Sequence, residues 1–256
     1  MARIFITGSA DGLGLMEARM LVAQGHEVVL HARNRQRADE ALAKVPGAKA
    51  ALAADLANIA ETRSLAGEAN ERGPFDAVVH NAGVYGEGHC RQTADGLPEI
   101  FVVNSLAPYV LTCLMKRPKR LIYTSSGLHR GGDASLRDIA WRTRRCSASA
   151  AYADSKLHMV ILAFAVARKW PDVLSNAMEP GWAATKMGGT GAPVSVEEGS
   201  RTQVWLAASG DKEALVSGGY FHRLKRERFH PAASDIALQE KYLSECAGLS
   251  GVVFPT

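Results

Sequence analysis

Short apolar runs alternate with longer stretches of helical periodicity along most of the chain, and this alternation limits the folds open to it. Arg3–Thr7, Glu27–His31, Lys49–Ala53, Phe75–His80, Leu121–Ser125, Val173–Met178 and Tyr220–His222 read as strands. Between them the pattern predicts helices over about Leu13–Gln24, Asn34–Lys44, Asn58–Arg72, Pro98–Met115 and Ala151–Lys169. Strands separated by helices pair in parallel through right-handed crossovers. The expected fold is therefore α/β: a doubly wound, mostly parallel sheet with helices on both faces. No repeat, low-complexity tract or linker divides the 256 residues. One domain over 1–256 is expected, with about 223–256 as a surface-lying C-terminal extension.

Composition removes several classes of function. Hydrophobic residues at 47% and charged residues at 22% suit a globular chain and exclude a disordered or disulfide-scaffold one. Thirty Lys+Arg against 26 Asp+Glu leave +4, too mild and dispersed for a dedicated nucleic-acid binder. The basic pieces Lys116–Arg120, Arg142–Arg145 and Arg223–Arg228 read as solvated surface. The apolar run Met159–Ala167 is far shorter than the ~20 residues that span a bilayer, and the run before Gly8 is too short for a signal sequence. Cysteines 90, 113, 146 and 246 form no C-x-x-C pair, which points to a reducing, cytoplasmic setting. The eight histidines show no metal-ligand spacing, so no metal is expected.

Thr7-Gly8-Ser9-Ala10-Asp11-Gly12-Leu13-Gly14 lies between the first strand and the first helix. Glycines there let backbone approach a pyrophosphate, and a helix N-terminus offers unpaired N–H groups. The same cluster also suits a plain strand-to-helix turn; its position after a clean strand favours a dinucleotide. The second strand ends His31-Ala32-Arg33-Asn34-Arg35, with no acid at its tip to hold a ribose 2′-hydroxyl. Guanidinium pairs well with phosphate, so Arg33 favours NADP(H), with NAD(H) still open. Asp11 opposes that choice, because a carboxylate in the turn would repel a 2′-phosphate.

Tyr152 and Lys156 fall at i and i+4, on one helix face. A neighbouring ammonium lowers a phenol's pKa from ~10 and makes proton exchange with an alcohol or carbonyl feasible. Ser125-Ser126 ends the fifth strand, at the sheet edge where ligands bind in open α/β folds. A hydroxyl there can donate to a carbonyl oxygen as it gains charge. No G-x-S-x-G surrounds either serine, which argues against a hydrolase.

With Thr7-Gly8-x-x-x-Gly12-x-Gly14, Asp55, Asn81-Ala82-Gly83, Asn104, Ser126, Tyr152-x-x-x-Lys156 and Pro180-Gly181 all in order, the chain resembles the short-chain dehydrogenase/reductases from residue 3 to about 222. Ser125-Ser126-x-x-His129 and the long segment Gly127–Ala151 look like the retinol-dehydrogenase-like branch, which typically prefers NADP(H). The resemblance implies a single-domain Rossmann fold and an oxidoreductase interconverting a carbonyl and an alcohol. It makes Tyr152 the general acid in reduction and the base in oxidation. Lys156 would bind the nicotinamide ribose and depress the tyrosine, Ser126 would polarise the substrate, and Asn104 would hold a water in a proton relay. Cofactor contacts would come from Gly8, Ser9, Asp11, Gly12, Leu13, Arg33, Asn34, Asp55, Leu56, Asn81, Ala82, Gly83, Tyr152, Lys156, Pro180, Gly181, Trp182 and Thr185.

The glycine-bearing segment Trp182–Ser195 reads as a mobile substrate lid, or else as a simple surface loop. An apolar carbonyl or alcohol substrate is the expectation at family level. The segment before the catalytic helix would obstruct the family's usual helix-bundle dimer, leaving monomer and homo-oligomer both open. Two rivals stand beside this reading. One is an NADP(H)-binding sensor without turnover, which has no need of a proton donor such as Tyr152. The other is a sugar-nucleotide epimerase or dehydratase, which generally carries a larger C-terminal substrate domain than this chain provides.

Overall fold

The computed structural model describes residues 1–86, 91–145 and 147–256. In chain order, β1 (Arg3–Ile6), α1 (Gly12–Ala23), β2 (Glu27–Ala32), α2 (Arg35–Lys44), β3 (Ala50–Ala53), α3 (Ile59–Arg72) and β4 (Ala77–His80) form the first half. α4 (Glu99–Phe101) runs through a π-helical segment, Val102–Leu106, into α5 (Ala107–Leu114). β5 (Arg120–Thr124), α6 (Ala148–Lys169), β6 (Leu174–Met178), α7 (Val196–Ala208), β7 (Gly219–His222), β8 (Lys225–Arg226) and α8 (Ile236–Ser250) complete the chain. The sheet order is β3-β2-β1-β4-β5-β6-β7-β8, parallel except for the antiparallel β7–β8 pair. The order reverses between β1 and β4, which opens a crevice at the carboxyl ends of those strands.

The central strands β1, β2, β4, β5 and β6 are buried on both faces, as a parallel sheet between helices must be, while the antiparallel edge strand β8 is exposed. Phe5, Val29, Val78 and Leu121 join one apolar layer with α3, α5 and α6. Ile4, Ile6, Leu30, Val79 and Ile122 join the other with α1, α2 and α7. Among the described residues one helix, Ala148–Lys169, is long and apolar enough to cross a membrane. Here it is packed into the core, its residues Leu157–Val166 buried throughout.

Two expectations about the C-terminal half change. The extension expected over 223–256 lies on the surface only in part: Arg223–Arg228 is exposed, but Tyr242 and Cys246 of α8 are fully buried against α6. Tyr109 Oη donates to Val252 O at 2.8 Å, and Trp170 Nε1 to Pro255 O at 3.3 Å. α7 was not expected, because Gly199, Ser200 and Thr202 are poor helix formers. Its start was nonetheless encoded: Ser195 and Glu198 stand at capping-box spacing, and the Glu198 N–H donates to Ser195 Oγ at 3.1 Å.

The basic segments are also less uniformly solvated than expected. Arg144 bridges Asp133 and Asp154 and stacks on Trp141 at 3.8 Å. Arg120 is half-buried and donates to Leu206 O at 3.0 Å.

Candidate active site

A cleft of about 1260 Å³ opens along the carboxyl ends of the strands, from the β2 tip to the N-terminal half of α6. Its floor begins at the glycine turn. Gly8 and Gly12 adopt φ of +65° and +52°, the left-handed region that favours glycine. At Gly14 a Cβ would stand 2.4 Å from Asn81 Nδ2 and 2.7 Å from Gly8 O, so only hydrogen fits. In the first turn of α1, Asp11 caps the Gly12 N–H, and the Leu15 N–H donates to Asp11 O. The N–H groups of Leu13 and Gly14 have no backbone partner among the described residues, which is the arrangement that suits an anion.

The turn is fixed from below by His31, Asn81 and Gln203. The Gly8 N–H donates to His31 Nδ1 at 3.0 Å, while His31 Nε2 meets Ala54 O at 3.0 Å. That network keeps the ring neutral, and burial pulls its pKa down to about 4. Asn81 donates to Thr7 O and Gly8 O and accepts from Gln203, which also donates to Thr124 Oγ1 at 2.7 Å. Ser9, expected at the cofactor, is instead fully buried. Its hydroxyl donates to Ile6 O at 3.0 Å and accepts from the His31 N–H at 2.9 Å, tying β1 to β2.

Arg33 and Asn34 line the cleft at the β2 tip, and Asp55 and Leu56 line it after β3. Asn34 caps α2 by accepting from the Arg37 N–H. Arg33 makes no ion pair among the described residues. The repulsion expected from Asp11 is offset, because its carboxylate is paired with Lys186 at 2.5 Å and Arg37 at 3.4 Å. The Lys186 hydrogen bond leads in holding that carboxyl below its ordinary value.

Ser126, Tyr152 and Lys156 converge on the opposite part of the cleft. Lys156 is buried and its Nζ donates to Thr124 O at 2.9 Å; desolvation pulls the ammonium down to about 8. The expected lowering of Tyr152 is not what this arrangement produces. Burial pushes the phenol up to about 12, with only the Ser126 hydroxyl pulling the other way. The lysine lies 5.4 Å from the ring centroid and is itself directed to a backbone carbonyl. Ser125, by contrast, is turned away and donates to Lys156 O at 2.7 Å.

Asn104 sits in the π-helical segment, a local irregularity often found at functional sites. It clamps Val84, accepting from its N–H at 2.8 Å and donating to its carbonyl at 2.9 Å, and it also donates to Ser155 Oγ. Asn104 thereby holds the strand-end segment Asn81-Ala82-Gly83 beside the lysine. A Cβ on Gly83 would lie 3.3 Å from Lys156 Nζ.

Residues 127–145 and 147–151 buttress the tyrosine. Asp138 accepts from the N–H groups of Arg142, Thr143 and Arg144, and Trp141 packs with Ile100 and Tyr152 in a small apolar cluster. Above the phenol, Tyr85 packs edge-on at 4.8 Å and Met187 Sδ lies 3.9 Å from the hydroxyl. Met187 belongs to the segment after Pro180-Gly181, where Trp182 Nε1 donates to Gly188 O at 2.8 Å and Thr185 Oγ1 accepts from the Gly188 N–H.

Comparison with known proteins agrees with this geometry. Residues 2–126 match the short chain dehydrogenase family model. An uncharacterized oxidoreductase of Emericella nidulans is 48% identical over 100% of this chain and 99% of its own length. The short-chain dehydrogenase chry4 of Gibberella zeae is 44% identical over the full length of both chains. The chain belongs to the short-chain dehydrogenases. It is an oxidoreductase of the kind that acts on CH–OH groups.

Human retinol dehydrogenase 13 is 29% identical over 99% of this chain and 86% of its own length, in keeping with the resemblance seen around Ser125–His129. A Mycobacterium paratuberculosis protein of uncharacterized function shares the fold, with a TM-score of 0.87 at 23% identity over 100% of this chain and 96% of its own. For this short-chain dehydrogenase, sequence reasoning missed His31, Gln203, Lys186 and Glu179 around the cleft. A histidine ending β2 beside the glycine turn was a readable signal for the first; the other three come from segments whose placement is tertiary.

Proposed function

We propose that the enzyme is NADP(H)-dependent and interconverts a ketone or aldehyde with the corresponding alcohol, with Tyr152 as general acid/base. The observation that carries this is the convergence of Ser126, Tyr152 and Lys156 in the same cleft as the glycine turn and Arg33. The residues fit a nicotinamide dinucleotide: left-handed glycines, two unpartnered N–H groups at the start of α1, and a guanidinium at the β2 tip.

A bound nicotinamide supplies or accepts the hydride. The protein's own residues do the rest. Gly8, Gly12 and Leu13, with Asp11 beside them, would hold the phosphates, and Arg33 and Asn34 the 2′-phosphate end. Asp55 and Leu56 would border the adenine, and Asn81, Ala82 and Gly83 the central part. Pro180, Gly181, Trp182 and Thr185 would hold the nicotinamide. Ser126 donates to the substrate oxygen, and Tyr152 gives it a proton in reduction or takes one in oxidation. Lys156, its Nζ directed to Thr124 O, would hold the ribose side of the cofactor. Asn104 positions Val84 and would hold the water of the proton relay. We place the enzyme in the cytosol on its cysteine usage, acting on a small-molecule carbonyl or alcohol.

Calorimetric titration with NADPH and NADH at fixed salt tests the cofactor assignment. Tighter NADPH binding that is lost in Arg33→Ala supports it; equal binding of both removes Arg33 from that role. Turnover lost in Tyr152→Phe with NADPH binding retained supports catalysis over a sensing role, in which the substitution would be silent.

A further inference from the structure

Glu179 presents a carboxylate to the reacting part of the cleft that the proton transfer does not use. It follows β6 and precedes Pro180-Gly181. Its N–H donates to Phe221 O at 2.9 Å and its carbonyl faces His222 Nδ1 at 3.2 Å, so its backbone is fixed. The side chain is 12% exposed and lines the cleft. Its Oε2 lies where a side chain at 127 would begin: a Cβ on Gly127 would be 2.6 Å away. The carboxylate therefore lies against the residue immediately after Ser126, the group assigned to polarise the substrate.

A carboxylate can accept about four hydrogen bonds, and burying one with few of them filled is costly. Glu179 has one side-chain contact of this kind among the described residues, Arg130 Nη2 at 3.5 Å. That guanidinium is better engaged elsewhere, donating to Arg228 O from Nη2 at 2.9 Å and from Nε at 3.3 Å. Tyr220 Oη, the neighbouring phenol, is buried without a partner and does not fill the gap. Acceptor capacity is left over on the cleft side.

Arg130 also sets the charge of what can bind. Its guanidinium offsets the carboxylate, so a cationic group would meet Arg130 together with Glu179. A neutral O–H or N–H donor meets no such opposition. We propose that Glu179 orients the substrate by accepting a hydrogen bond from a neutral hydroxyl or amide N–H carried near the reacting carbonyl. This rests on the carbonyl-reducing reading above and replaces the purely apolar substrate expected from the sequence with a donor-bearing one.

The test uses NADPH oxidation by the full chain on acetophenone and its ring-hydroxyl, ring-acetamido and ring-aminomethyl derivatives. Binding of the matching secondary alcohols to protein loaded with NADP⁺ is measured by calorimetry. The hydroxyl and acetamido ketones are expected to exceed acetophenone at least tenfold in kcat/KM, and the cationic aminomethyl form not to. Glu179→Leu is expected to bring that ratio close to one, and Glu179→Gln, which keeps an acceptor oxygen, to retain most of it. Gly127→Ala, which sets a methyl against Oε2, is expected to reduce the same ratio should the leucine variant fail to bind NADPH.

A donor-bearing ketone no better than acetophenone, or an advantage undiminished in both Glu179→Leu and Gly127→Ala, overturns the assignment and leaves the reductase reading standing. If no ketone is turned over, the reductase reading falls, and the alcohol-binding ratio in wild type and variants decides Glu179. Binding of none of the alcohols overturns it as well.

Discussion

Lys186 and Asp11 form an ion pair at 2.5 Å that joins the loop after Pro180-Gly181 to the glycine turn. The same carboxylate meets Arg37 at 3.4 Å, so one acid at the edge of the cleft lies between two bases. Lys186 is 81% exposed and Asp11 43%, so the pair adds little to global stability, on the order of 1 kcal/mol or less. Its effect falls on the loop beside the cleft, which the pair ties to the glycine turn.

Lys186→Ala is accordingly expected to speed NADPH release by roughly fivefold or less, the equivalent of about 1 kcal/mol. Melting temperature should barely change. Stopped-flow release at low and high salt is the measurement, and high salt should erase the difference between variant and wild type, because an exposed pair is screened. A release rate unchanged at low salt removes the latch.

Tyr152→Phe is expected to lower kcat by roughly 10²–10⁴, the ordinary range for a general acid/base, with NADPH affinity unchanged. Lys156→Met tests the other half of the pair. Burial holds the ammonium down to about 8, below its ordinary value of 10.5, so folding disfavours the charged form. Between about pH 8 and 10.5 the unfolded chain binds more protons, and this group makes stability rise with pH there. The apolar variant should be inactive, yet more stable than wild type in urea at pH 7, and without that rise. An equal or lower urea midpoint at pH 7 removes the argument.

The elements carrying this chemistry were legible because their signals are local. Gly8 and Gly12 need left-handed backbone and Gly14 the absence of a Cβ in one short stretch, and Tyr152 and Lys156 need one helix face; sequence spacing alone expresses both. Ser9 was misread because its backbone position belongs to the turn while its hydroxyl is drawn into the β1–β2 junction by the His31 N–H. The tyrosine's pKa was misread because an ammonium one helical turn away does not dictate where its Nζ points; Thr124 O does. Glu179 and Lys186 gave no local signal, since each meets its partner across a long sequence separation.

Gly14→Ala should separate cofactor binding from folding. The added Cβ would meet Asn81 Nδ2 and Gly8 O well inside contact distance, forcing the glycine turn and its Asn81 support to shift. Alanine otherwise favours the helix. The expected result is a loss of NADPH affinity of at least tenfold with the circular dichroism of the wild type. Wild-type affinity would mean that the turn yields without consequence for the phosphates.

Tyr242→Ala probes the C-terminal helix. The ring is fully buried in the main apolar layer, stacked near His158 at 5.3 Å, with its hydroxyl donating to Ser105 O at 3.3 Å. Truncating an aromatic of this kind costs about 3–5 kcal/mol, which urea unfolding should report. A cost below about 1 kcal/mol would return residues 236–256 to the status of a surface extension.

Acid stability should be governed by buried histidines. Desolvation pulls His31 and His129 down to about 4, and His80 and His158 down to about 3, from an ordinary 6.5. In the folded chain they stay neutral at pH 5, while in the unfolded chain they are protonated. The unfolded state then holds the extra protons, so stability is full above about pH 6.5 and falls as pH drops toward 4. Each histidine contributes a slope of up to about 1.4 kcal/mol per pH unit within that window. His80 is the clearest single probe: its ring stacks on Tyr123 at 4.9 Å, Nε2 meets Thr112 Oγ1 at 3.2 Å, and Nδ1 is buried without a partner. His80→Phe removes the titrating group and keeps a ring for the stack. Urea midpoints of variant and wild type should converge as pH falls from 7.5 to 5, with the variant losing less stability. Parallel decline of the two would mean that His80 is already protonated in the folded chain and that acid unfolding has another origin.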